Sequence, residues 1–140
     1  MANATTNSAQ LKGSQVAYLV LPLKASTQFY RGGHVMLVGG YLTPCADTSG
    51  GTYAGRFLDP DVLTTSAADG TFSGKVTPPN MEPYQQFTVS GADNTWNGTK
   101  VFFTNDYMVA QSSSNSVIAG RVVKELSSTV VIVDTTQRWT

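Results

Sequence analysis

The chain holds one His, one Cys and two Glu, and this short supply limits the chemistry it can perform before any geometry is considered. A Ser or Cys nucleophile needs a base to take its proton, and His34 is the sole imidazole available for that work. It lies in His34-Val35-Met36-Leu37-Val38, a stretch that reads as a strand, where an ordinary histidine on a strand surface or edge accounts for it without catalysis. Cys45 follows Pro44 with no basic residue beside it in sequence to favour the thiolate, so it reads as a buried or incidental thiol.

Oxygen-rich cation sites fare no better. Asp59-Pro60-Asp61 puts two carboxylates close together, and Asp47, Asp69, Asp93 and Asp106 all fall between apolar runs. None has the alternating Asp/Asn spacing and distal Glu of a calcium loop, and loop aspartates are explained by the hydrogen bonds they make to local amides. Glycine-rich phosphate loops that come after a strand and open a helix are lacking, and Asn97-Gly98-Thr99, a formal glycosylation acceptor, is more simply a turn. The expectation is a protein that is not an enzyme and carries no metal and no cofactor.

Six Phe, six Tyr and two Trp could build a stacking surface for sugars or single-stranded nucleic acid. Phe57, Phe72, Phe87 and Phe102 fall at strand positions that a barrel core would use. Tyr18, Tyr84, Trp96 and Trp139 are the less committed ones.

The elements that carry these residues are strands. The chain has 140 residues, about one domain's worth, and the 18 Thr, 13 Ser, 13 Gly and 7 Asn favour turns and pleated surface over helix. Short β-branched and aromatic runs separated by Gly, Asn, Asp, Ser and Pro predict an all-β sandwich or barrel. Strands are expected at residues 15–21, 34–38, 41–44, 52–58, 70–77, 85–90, 100–104, 107–110, 117–126 and 129–134. One helix candidate spans Asp59 to Ala68, with Asp59 as N-cap, Pro60 at the first position and Gly70 as stop. Gly39-Gly40 and Asn105-Asp106 each predict a tight hairpin, and Ser127-Ser128-Thr129 predicts that the last two strands pair.

Two of these hairpins belong to a longer internal match. Gly32 to Val38, then Tyr41, then Tyr53-Ala54-Gly55-Arg56-Phe57 runs parallel to Gly98 to Phe103, then Tyr107, then Ile118-Ala119-Gly120-Arg121-Val122. Val35 matches Val101 and Tyr41 matches Tyr107 at one offset, and Arg56 matches Arg121 at an offset one residue shorter. This is a pseudo-repeat, two similar three-stranded units of one small barrel, with Gly55 and Gly120 where a bend or close backbone approach excludes a side chain.

Charge points away from several partners. Charged residues are 13% of the chain, about half the usual share, and the formal net charge is +0 with neither sign gathered into a patch. Nucleic-acid binding is not expected. Net charge near zero removes self-repulsion and suits a protein built to sit against other protein. The longest apolar run, Val16 to Leu23, contains Pro22 and is far shorter than the roughly 20 residues of a membrane span. The first residues have neither the basic start nor the apolar stretch of a secretion signal, so synthesis in a cytoplasm is expected. Residues 1–14 read as a polar extended arm too poor in apolar side chains to order itself, with residues 15–140 as one barrel-like domain. Asn3, Thr5, Asn7, Gln10 and Leu11 are the arm residues expected to bind a partner.

The run Gly98 to Phe103, followed by Ser116-Val117-Ile118-Ala119-Gly120-Arg121-Val122-Val123 and Ser128 to Val133, resembles the small β-rich decoration (cement) proteins of bacteriophage capsids. Gly32 to Val38 resembles an earlier version of the same strand, so the resemblance runs from Phe29 to Asp134. It implies a small β-barrel or β-tulip, a homotrimer, bound outside an icosahedral head where major capsid proteins meet, with no catalytic residue to carry over. Thr77 to Tyr84, with Pro78, Pro79 and Pro83, departs from that pattern and reads as a rigid surface loop in which Pro78, Pro79 and Tyr84 contact a neighbour. A rival from another class is a carbohydrate- or receptor-binding adhesin module of a phage tail or head fibre, using Tyr84, Trp96 and nearby Asn and Asp.

Overall fold

Strand-forming residues dominate the structure, a computed structural model in which residues 17–66 and 68–137 are described. The N-terminal arm, including Asn3, Thr5, Asn7, Gln10 and Leu11, and also Trp139 lie outside the described residues. The strands are β1 (Leu19–Pro22), β2 (Gln28–Tyr30), β3 (His34–Val38), β4 (Tyr41–Pro44), β5 (Thr52–Asp59), β6 (Val62–Thr64), β7 (Ser73–Thr77), β8 (Tyr84–Thr88), β9 (Lys100–Phe103), β10 (Val109–Ala110), β11 (Ile118–Ser127) and β12 (Val130–Asp134). A 3-10 turn covers Asn94–Trp96, capped by the Asp93 carboxylate on the Thr95 amide.

The β3–β4 hairpin turns through Gly39 and Gly40, whose φ values of 61° and 91° suit the primed turn that matches strand twist. Asn105-Asp106 does not make the expected two-residue turn. β9 and β10 pair through Phe103 and Val109, and the Asn105 side chain accepts from the amides of Tyr107 and Met108 to close a longer loop. The helix expected at Asp59 to Ala68 is absent: Val62, Leu63 and Thr64 pair antiparallel with Tyr30, Phe29 and Gln28. Leu63 packs against the core beside the buried Phe29, so tertiary burial of this β-branched run outweighs the cap signal.

Two five-stranded sheets make up the body, ordered β1-β7-β5-β3-β4 and β10-β9-β11-β12-β8. In reverse, the second order is β8-β12-β11-β9-β10, so β1, β3, β4, β5 and β7 correspond one for one to β8, β9, β10, β11 and β12. The repeat therefore extends from the expected three strands per unit to five. Every ladder within the two sheets is antiparallel. Parallel bridges Leu23↔Leu42 and Thr88↔Met108 then bring the two edges of each sheet together, curling it toward a barrel. The fold is all-β and barrel-like.

Gly55 and Gly120 sit at the same bulge in the two units. Val35↔Gly55 is followed by Met36↔Tyr53, and Val101↔Gly120 by Phe102↔Ile118, so one extra residue on the bulged strand re-aims the side chains beyond it. Their φ values are 136° and 153°. A Cβ on Gly55 would lie 2.1 Å from the Thr77 carbonyl oxygen, and one on Gly120 would lie 2.2 Å from that of Asp134. Close backbone approach leaves no room for a side chain at either position.

The units pack in tandem. Val35, Ala54, Phe57 and Val76 fill the inner face of the first sheet, which the β2–β6 ribbon closes with Phe29 and Leu63. Their counterparts Val101, Ala119, Val122 and Val133 fill the second, together with Phe87 and Phe103. That second core also takes in Met36 and Tyr53 from the outer wall of the first sheet.

Candidate functional site

His34 and Cys45, the residues most able to do chemistry, meet at the junction between the units. They lie on neighbouring strand ends, and the Cys45 amide donates to the His34 carbonyl at 2.9 Å. His34 is 5% exposed, which corrects the expectation of a surface or edge histidine: alternation places it on the outer wall of the first sheet, and the second sheet covers that wall. Its ring lies 4.4 Å from that of Phe87, and its Nδ1 hydrogen-bonds the Tyr53 hydroxyl at 2.7 Å. Burial, helped by the charge of Arg56, pushes its pKa down to about 3, so the imidazole is neutral and packs as an aromatic. Cys45 is buried as expected, and burial together with the Asp106 charge pushes its thiol pKa up. A protonated thiol and a neutral, enclosed imidazole are the reverse of an activated nucleophile and its base.

The loop carboxylates act as backbone ties. Asp47 accepts from the amides of Ser114 and Asn115, joining equivalent loops of the two units. Asp69 accepts from the Ala25 amide, and Arg31 bridges Asp59 and Asp61. Burial of Asp134 opposes its charge, yet hydrogen bonds from Thr136 and Gln137 prevail and hold its carboxyl below the usual range. Among the described residues no three His, Cys, Asp or Glu side chains cluster as a metal would need.

The proline segment corrects another expectation. It links β7 to β8, and Pro78 is buried and Pro79 half-buried, so neither is the open contact point expected of a surface loop. Tyr84 is 63% exposed. The link is pinned from both sides: Arg56 makes a two-pronged contact with Glu82 at 3.0 and 3.1 Å, and Thr135 donates twice to the Pro83 carbonyl.

Aromatics divide differently from the expectation. Phe57 and Phe87 are core, but Phe72 is 37% exposed in the turn before β7. Phe102 points to the outer wall, because its neighbours Val101 and Phe103 occupy the inner face. Trp96 is 9% exposed and joins the second core, away from any open platform with Tyr84.

The surface that sequence reading missed is the outer wall of the second sheet. Phe102 pairs across the ladder with Ile118, and Lys100 with Arg121. These four stand where Met36, Tyr53, His34 and Arg56 stand in the first unit. The internal match already aligns Arg121 with Arg56, Lys100 with His34, Phe102 with Met36 and Ile118 with Tyr53, so the contrast stands in the sequence itself. The chain matches no protein-family model, no curated protein and no solved structure.

Proposed function

We propose that the protein is a non-enzymatic structural component of a virion, a decoration protein that binds the outside of a phage head as a homotrimer and stabilises contacts between major capsid proteins. The observation that carries this reading is the placement of its reactive groups: the one imidazole and the one thiol are spent on packing, while apolar side chains stand exposed on and beside the strands. Tyr18, Val20, Tyr30, Val62, Tyr84 and Tyr107 are all open to solvent in the single chain. A neutral surface with scattered apolar contacts suits attachment to other protein, and many copies on one shell multiply a modest affinity. It is made in the host cytoplasm and requires no membrane, nucleic acid or cofactor. The resemblance to capsid decoration proteins agrees with this reading. The adhesin alternative loses its main support with Trp96 buried.

Co-sedimentation with undecorated heads tests the proposal. The full chain is expected to pellet with heads, and a chain lacking residues 2–14 to bind at least tenfold more weakly, about 1.4 kcal/mol, with its melting transition nearly unchanged. Failure of the full chain to bind would overturn the reading. Undiminished binding of the truncated chain would remove the arm from it.

A further inference from the structure

The junction between the units is made by unlike surfaces, the outer wall of the first sheet and the inner face of the second. Such head-to-tail packing leaves one inner face and one outer wall without a neighbouring unit. The free inner face belongs to the first sheet and is closed by the β2–β6 ribbon, held where the Thr65 hydroxyl donates to the Lys24 carbonyl and accepts from the Thr27 amide. The outer wall left without a neighbouring unit among the described residues belongs to the second sheet.

The first unit shows what such a wall requires. There Met36 and Tyr53 are buried, and Arg56 is matched by Glu82. In the second unit the corresponding Phe102 and Ile118 are only half-buried. Lys100 and Arg121 lie side by side, a repulsive pairing on a sheet face. Among the described residues neither of them, nor Lys124 nearby on β11, has an ion-pair partner, and Arg121 donates only to the Gly98 carbonyl. Asp134 is in register with Arg121, but it is buried and accepts from Thr136 and Gln137. An occupant of this wall has to bring an apolar pair and a carboxylate.

We infer that the occupant is the β2–β6 ribbon of a second copy of this chain. The outer side of the ribbon presents Tyr30 and Val62 as a cross-strand pair, 51% and 56% exposed. Asp59 and Asp61 edge that pair, and the Asp61 side chain is 72% exposed. Arg31 bridges both carboxylates, so the edge keeps one net negative charge. Apolar pair meets apolar pair, and the acidic edge meets Lys100 and Arg121. The contact joins unlike faces and therefore closes into a ring or runs on as a filament. It deepens the self-associating part of the reading above and is independent of the shell.

Sedimentation of the full chain without heads tests it. The wild-type protein is expected to associate at micromolar concentration, and Arg121→Glu and Asp61→Arg each to weaken association at least tenfold while melting like wild type. An equimolar mixture of the two variants recovers association, because each supplies the face that the other has reversed. A wild-type monomer throughout, an oligomer that both variants leave intact, or a mixture that stays monomeric would each overturn the inference. Binding of such a monomer to heads would leave the decoration role standing and remove the homotrimer from it.

Discussion

The two units share strand order, bulge position and a glycine pressed against a carbonyl, yet they spend the same wall in opposite ways. In the first, Met36, Tyr53 and His34 are sealed beneath the second sheet and Arg56 is paired with Glu82. In the second, Phe102, Ile118, Lys100 and Arg121 hold the same register with less cover and no described carboxylate partner. The fold repeats and the surroundings do not. The difference separates what the backbone demands, which is common to both units, from what a neighbour demands, which among the described residues the first unit alone has satisfied.

The largest effect should fall on what is common. Gly55→Ala and Gly120→Ala each place a Cβ deep inside van der Waals contact with a carbonyl oxygen, at 2.1 and 2.2 Å, at a backbone angle that side chains rarely adopt. Each is expected to cost on the order of 3 to 5 kcal/mol in chemical denaturation, combining backbone strain with overpacking. If one were neutral, the two bulges would not be equivalent.

A smaller effect should divide the units. His34 has a native pKa of about 3 against an ordinary value of 6.5, so below pH 6.5 the unfolded chain binds a proton that the folded chain refuses. Its contribution to stability is complete above pH 6.5 and is lost as pH falls toward 3, roughly 3 to 4 kcal/mol of it by pH 4. Asp134, whose pKa is lowered, loses its contribution at lower pH, below the ordinary carboxylate range, so the upper part of the profile belongs to His34. Denaturation midpoints measured from pH 7 to pH 4 check this, and a flat profile would mean that the imidazole is solvated.

The smallest effect concerns the arginines. The Arg56 and Glu82 side chains are 38% and 36% exposed, so solvent screens the pair and Arg56→Ala should cost only about 0.5 to 1 kcal/mol. Arg121→Ala should change the stability of the monomer by less than about 0.5 kcal/mol. Thermal melts of both variants, with Glu82→Ala closing a double-mutant cycle on the first, measure the contrast.

Much of this was legible in the sequence, for reasons that particular residues make plain. Ala54-Gly55-Arg56 and Ala119-Gly120-Arg121 revealed the duplication because only glycine fits the bulge, so its neighbours stayed recognisable. β1 and β8 did not reveal theirs, since Leu19-Val20-Leu21 and Gln85-Gln86-Phe87 hold equivalent ladder positions against β7 and β12 without sharing a residue. The β2–β6 ribbon escaped notice because each strand is three residues long and turns a single side chain, Phe29 or Leu63, into the core. His34 and Phe102 were both misplaced by the same ambiguity. Alternation separates the two faces of a strand but cannot tell which face a second sheet will cover, and Val101-Phe102-Phe103 is apolar on both.

The claim that the free wall receives another copy's ribbon is tested most directly by cross-linking. Cysteines introduced as Val62→Cys and Ile118→Cys, with the native Cys45 buried and out of reach, should join copies through a short bis-maleimide when both substitutions are in one chain or when the two single variants are mixed. Either single variant alone should give no linked product. Linkage in a single variant by itself would mean that like faces meet, and absence of linkage in the double variant and in the mixture would contradict the account.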